Sequence, residues 1–141
     1  MNIHKAIIAE HHLAYQACLD WSRDFLSLPG KSRWKLHLNP APKKQRFSGC
    51  AILLDPTLIH VSEAEGPRII MPGRISSWHC PQSNLIPPRP TPVTLVALYL
   101  PYQDLPRREA LHRLRQYLNT IPNIVFMGRD FNLPQFRMKR L

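Results

Sequence analysis

An α/β fold built on a mixed β-sheet is what the sequence predicts, and three observations predict it. Short apolar runs bounded by turn residues recur along the chain. Two of them, Val93-Thr94-Leu95-Val96-Ala97-Leu98 and Ile124-Val125-Phe126-Met127, are apolar enough for strands covered on both faces. Two further segments carry apolar residues at helical spacing. The second of these joins the two strongest strands over about 35 residues, the order of a parallel crossover. A short turn elsewhere suits an antiparallel hairpin, so the expected sheet is mixed.

Taken in order, Ala6-Ile7-Ile8-Ala9 reads as a strand over 5–9 that ends on the carboxylate of Glu10, with His11 and His12 beyond it as scaffold or rim residues. Ala14, Cys18, Trp21 and Phe25 then recur at intervals of four, three and four, predicting a helix over 12–26 closed by Pro29-Gly30. Trp34, Leu36 and Leu38 alternate with Lys35 and His37, the period of a half-buried strand over 32–38. Residues 39–46 form a basic, proline-containing turn with Lys43, Lys44 and Arg46, suited either to a nucleic-acid backbone or to plain solvation.

Gly49-Cys50-Ala51-Ile52-Leu53-Leu54 reads as a buried strand, Asp55-Pro56-Thr57 as a turn, and 57–62 as the second strand of a hairpin. Between Arg68 and Trp78 lies another apolar piece containing Gly73-Arg74, and 81–92 is a proline-rich loop in which backbone donors are missing and φ is fixed. A strand over 93–99 stops at Pro101, and Asp104 is a candidate cap for a helix over 105–119 whose buried stripe is Leu111, Leu114 and Leu118. The chain then returns through a strand over 123–128, ended by Gly128. Both helices are expected on one face of the sheet.

Length and composition fit one domain able to bury a core, with 141 residues of which 44% are hydrophobic. The 19 basic and 9 acidic residues give a formal charge of +10, which favours a polyanionic partner without choosing among DNA, RNA and anionic lipid. Cys18, Cys50 and Cys80 lie far apart with no Cys-x-x-Cys spacing, so neither a disulfide framework nor a zinc module is indicated, and a reducing interior is the simpler setting. No apolar run reaches the ~20 residues that span a bilayer, and the start lacks a signal-peptide core. The expected setting is intracellular, the nucleus included, with no membrane and an open oligomeric state.

The stretch most suggestive of chemistry follows the last strand. Asp130 and Asn132 stand at i and i+2 and in extended chain would point the same way from the strand's C-terminal edge, where open α/β sheets bind ligands. An Asp can bind Mg²⁺ or orient water, and an Asn can donate to a phosphoryl oxygen without adding charge. Gly, Asp and Asn are also ordinary turn formers.

In chain order, Ile7-Ile8-Ala9-Glu10-His11-His12, Ser48-Gly49-Cys50-Ala51-Ile52-Leu53-Leu54, Pro72-Gly73-Arg74-Ile75, Tyr99-Leu100-Pro101 and Gly128-Arg129-Asp130-Phe131-Asn132 resemble the motifs of the endonuclease/exonuclease/phosphatase superfamily. The nearest likeness is to the endonuclease domains of LINE-type retrotransposons and to apurinic/apyrimidinic endonucleases. The resemblance implies a four-layer fold, two sheets face to face between helical layers, and Mg²⁺-dependent cleavage of DNA phosphodiesters, with Mn²⁺ as a substitute metal. It implies Glu10 as metal ligand, Tyr99 at the scissile phosphate, Asp130 on the attacking water and Asn132 in the phosphate site.

Departures from the family pattern are Ala9 for a common Gln, Tyr102 for a common Asn, and Arg129 for a second Gly, which adds a cation for the nucleic acid. The family's earlier Asn-bearing strand and later Ser-Asp-His element have no counterpart. The expectation is therefore a single partial domain over 1–141, with weak or no activity by itself. The alternative is an inactive remnant that binds polyanions through its basic surface.

Overall fold

A computed structural model describes residues 6–43, 48–55, 59–60, 66–83, 91–122 and 124–130. In chain order they form β1 (Ala6–Glu10), α1 (Tyr15–Leu26), β2 (Lys35–Asn39), β3 (Cys50–Leu54), β4 (Ile59–His60), β5 (Arg68–Met71), β6 (Ile75–Ser83), β7 (Thr91–Tyr99), α2 (Asp104–Leu118) and β8 (Ile124–Asp130). The architecture is mixed α/β, with two sheets and two helices among the described residues. Neither helix is long and apolar enough to cross a membrane.

The first sheet has the order β1-β3-β2, with both pairings antiparallel. Its central strand is the uninterrupted apolar run of the sequence, and all five residues of β3 are buried. The second sheet runs β4-β6-β7-β8, with β5 also on β6. β7 pairs antiparallel with β6 and parallel with β8, which makes the sheet mixed. The parallel pair is the one joined through α2, as the crossover rule requires.

Alternation along each strand divides the core. Cys50, Ile52 and Leu54 of β3 meet Trp78, Cys80, Val93, Leu95 and Ala97 of β6 and β7 between the sheets. Ala51 and Leu53 face the other way, joining Trp34, Leu36, Leu38, Phe25 and Leu26 beneath α1. Ile75, Val96 and Leu98 form the outward face of the second sheet, covered by Ala110 and Leu114 of α2. Burying an aliphatic side chain of this size contributes about 1.5–3 kcal/mol relative to exposure, so Ile52 and Leu95, both essentially sealed, are among the strongest links between the sheets.

Several expectations are corrected. The two helices do not share one sheet face; each covers a different sheet. β3 and β4 are not a hairpin, because β1 and β2 occupy both edges of β3 and β4 pairs instead with β6. Residues 56–58 and 61–65 of that expected turn and strand lie outside the described residues. The proline-rich loop is shorter than 81–92: Pro81 lies inside β6 where the pairing shifts register, and Pro92 is the exposed second residue of β7. Both are positions where a missing N–H is tolerated. Residues 84–90 lie outside the described residues.

Gly128 does not end the last strand, since it pairs with Ala97 and β8 continues to Asp130. Asp104 is the first residue of α2 and not its cap; Gln103 precedes it, no side chain caps the helix, and Asp104 pairs with Arg108 at 3.1 Å in solvent. Leu111 is exposed, and the buried stripe is Ala110, Leu114, Tyr117 and Leu118, rotated by one position from the expected one. Tyr117 draws the helix round by donating from its hydroxyl to Ser77 Oγ at 2.6 Å.

Candidate active site

Three strands finish together at one end of the two sheets. Glu10, the last residue of β1, is paired with Cys50 at the start of β3, and the His11 N–H donates to the Gly49 carbonyl at 3.2 Å. The Gly49 N–H donates to the Gly73 carbonyl of the β5–β6 turn at 2.7 Å. One residue on, the Arg74 carbonyl accepts from the Tyr99 N–H at 2.7 Å, and Tyr99, the last residue of β7, is in register with Asp130, the last of β8. A continuous backbone path thus crosses from the first sheet to the second, joining Glu10, Gly49, Gly73-Arg74, Tyr99 and Asp130. These residues come from all five motifs of the resemblance. Across the sandwich β1 lies against β7 and β8.

Two glycines make this crossing feasible. Gly49 has φ +115, and a Cβ there would stand 2.6 Å from His11 Cε1; Gly73 has φ +68, and a Cβ there would stand 2.6 Å from Pro42 Cδ. Both the positive φ and the close approach demand glycine. His12 is held at φ 55, an uncommon conformation for a side-chain-bearing residue, immediately after the end of β1.

Asn39 is the buried staple of the crossing, and the sequence gave no sign of it beyond its place at the start of a turn. Its Oδ1 accepts from the Gly73 N–H at 2.7 Å, and its Nδ2 donates to the carbonyls of Met71 at 3.0 Å and Ile75 at 3.3 Å. One carboxamide on β2 therefore fixes the β5–β6 turn of the opposite sheet. Beside it, His37 Nε2 shares a 2.8 Å hydrogen bond with Ser76 Oγ, and its ring meets Trp78 edge to face. Burial, reinforced by the nearby His11, pushes the His37 pKa down to about 4, so this imidazole is neutral at physiological pH.

His11 is scaffold. Its Nδ1 accepts from the Leu13 N–H at 2.8 Å, which leaves Nε2 to donate to the Cys50 carbonyl at 3.0 Å, and burial lowers its pKa below the ordinary value. Both ring nitrogens are spent on the backbone.

Arg74 stands out for the opposite reason. Its side chain is buried, with 6% of the residue exposed, yet its Nη1 donates only to the Pro106 carbonyl at 3.3 Å in the first turn of α2, and its Nε has no acceptor. No acidic group pairs with it among the described residues.

Of the expected site residues, Glu10, Tyr99 and Asp130 are brought to the same end by their strands, and Arg129 precedes Asp130 in β8 opposite Leu98. Lys43 is exposed on the turn after β2. Asn132, Lys44 and Arg46 lie outside the described residues. The donor chemistry fits a hard divalent cation, because the strand ends bring the carboxylate residues Glu10 and Asp130. Cys50, by contrast, is buried, with its thiol pushed up to about 11 by that burial. Among the described residues no three His, Cys, Asp or Glu side chains cluster as metal ligands; Mg²⁺, which keeps several waters and takes one or two carboxylates, does not require such a cluster.

No protein family, curated protein or solved structure matches this chain.

Proposed function

We propose that the chain is part of a Mg²⁺-dependent phosphodiesterase of the endonuclease/exonuclease/phosphatase kind, acting on nucleic acid, most plausibly DNA. The observation that carries the reading is the common end of β1, β7 and β8, where Glu10, Tyr99 and Asp130 terminate their strands and are linked through Gly49, Gly73 and Arg74. The order of helix, sheet, sheet and helix read from the three cores also supports it, since that is the layering of the four-layer fold.

In this reading the Glu10 carboxylate holds the cation, an economy that suits Mg²⁺. The bound metal supplies Lewis-acid stabilisation of the charge that develops on the phosphoryl oxygens. Asp130 orients the attacking water and accepts its proton, the Tyr99 hydroxyl hydrogen-bonds a phosphate oxygen, and Asn132 donates to another. The formal charge of +10 concentrates a polyanionic substrate.

The test is nicking of supercoiled plasmid by the purified chain with Mg²⁺. Slow relaxation that EDTA abolishes, and that Asp130→Ala removes by roughly a hundredfold or more as loss of a general base does, is the expected result. Nicking that survives Asp130→Ala would mark a contaminant or a different site. Binding of plasmid with no nicking at any Mg²⁺ concentration would favour the basic scaffold in its place.

A further inference from the structure

The unpaired guanidinium of Arg74 meets a second unneutralised positive feature at the same place. α2 begins at Asp104 after Gln103, and no side chain caps its first N–H groups. A helix start with open N–H groups carries partial positive charge and favours an anion. The Arg74 guanidinium donates into that same first turn, at Pro106, while its Nε is sealed from solvent with no acceptor. A buried cation without a counter-charge is costly, and setting it against the positive end of a helix adds to the cost. The carboxylate within that turn, Asp104, is turned to solvent and tied to Arg108.

We infer that the start of α2 together with Arg74 is an anion site that takes a backbone phosphate of the nucleic acid, next to the phosphate that is cleaved. The inference rests on the proposed function for the identity of the anion, but its physical basis, a buried unpaired guanidinium under an uncapped helix, is independent of catalysis. The location follows from the chain path. β7 leads from Tyr99 through Leu100 and Pro101 directly to α2, and the Arg74 carbonyl holds the Tyr99 N–H, so the site adjoins the rim where β7 and β8 end. A guanidinium has five donors, of which Pro106 takes one. A phosphate oxygen at the helix start would complete its field and the open N–H groups together.

The experiment is done in EDTA, so that it does not depend on the metal or on cleavage. Inorganic phosphate is titrated at constant ionic strength against chloride while thermal unfolding is followed, and a short single-stranded oligonucleotide is then titrated in parallel. The wild-type chain is expected to gain stability with phosphate, and Arg74→Met is expected to weaken both phosphate and oligonucleotide by about tenfold or more, the loss of a charge-assisted hydrogen bond. Gln103→Asp, at an exposed position, is expected to raise the melting temperature by itself and to erase the phosphate response, because a capping carboxylate fills the same place.

Equal phosphate responses in wild type and Gln103→Asp would overturn the site, whether or not Arg74→Met folds. A phosphate response that depends on Arg74 with oligonucleotide affinity that does not would overturn the assignment to nucleic acid. An Arg74-dependent response to both probes in a chain that never nicks DNA would leave this site standing and remove the hydrolase reading.

Discussion

The surroundings of Asn39 and those of Arg74 lie on either side of the same turn and solve the same problem differently. Each puts a strongly polar side chain inside the protein. Asn39, at 0% exposure, has its oxygen and its amide nitrogen engaged by Gly73, Met71 and Ile75, so its burial is fully compensated and its task is to lock the second sheet onto the first. Arg74, almost as deeply buried, has one weak bond to Pro106 and an orphaned Nε. A satisfied polar group holds a fold together, whereas an unsatisfied one beside a helix start is poised for something that the protein alone does not supply.

Mutation should separate the two. Asn39→Ala strands the Gly73 N–H and two carbonyls in a buried place, and a loss of about 4 kcal/mol is expected in urea unfolding, on the scale of several buried hydrogen bonds. A loss under about 1 kcal/mol would mean that the carboxamide is no staple.

The next effect is pH dependence through His37, whose folded pKa of about 4 lies below its ordinary 6.5. Between those values the unfolded chain binds a proton that the folded chain refuses, so stability is full above pH 6.5 and falls as the pH drops toward 4. His37→Gln should flatten that part of the profile while acid unfolding from other groups remains. An unchanged slope in the variant would remove His37 as its cause.

The smallest effect belongs to Arg74→Met. Replacing an unpaired buried cation with an apolar chain of similar length should leave stability within about 1 kcal/mol of wild type or raise it. A loss as large as that of Asn39→Ala would make Arg74 equally structural and erase the contrast.

The parts of the fold that depend on local pattern were legible in the chain. The apolar runs at 50–54, 93–98 and 124–127 became β3, β7 and β8, and the spacing of Cys18 and Phe25 marked α1. Partnerships were not legible, because neighbours in sequence need not pair: β4 follows β3 yet joins the other sheet. Nor was β6, where Ser76, Ser77 and His79 hide the strand behind polar side chains whose partners, His37, Tyr117 and Thr94, lie far away in the sequence.

Of the candidate site, the strand-end residues Glu10, Tyr99 and Asp130 could be named because apolar runs lead into them. Asn39 looked like a turn residue, and its role depends on a turn more than 30 residues later, with which it bonds. Arg74 was visible only as part of a Gly-Arg pair, since burial without a counter-ion cannot be read from residue order.

The central claim is that the ends of β1 and β8 jointly hold one divalent cation. Titration of Mn²⁺ followed by electron paramagnetic resonance tests it directly, because free and bound Mn²⁺ are distinguished without any turnover. One bound ion per chain, weakened by at least about tenfold in both Glu10→Gln and Asp130→Asn as for loss of a charged ligand contact, is the predicted result. A site that survives either substitution, or the absence of any bound ion in the folded wild-type chain, would contradict it.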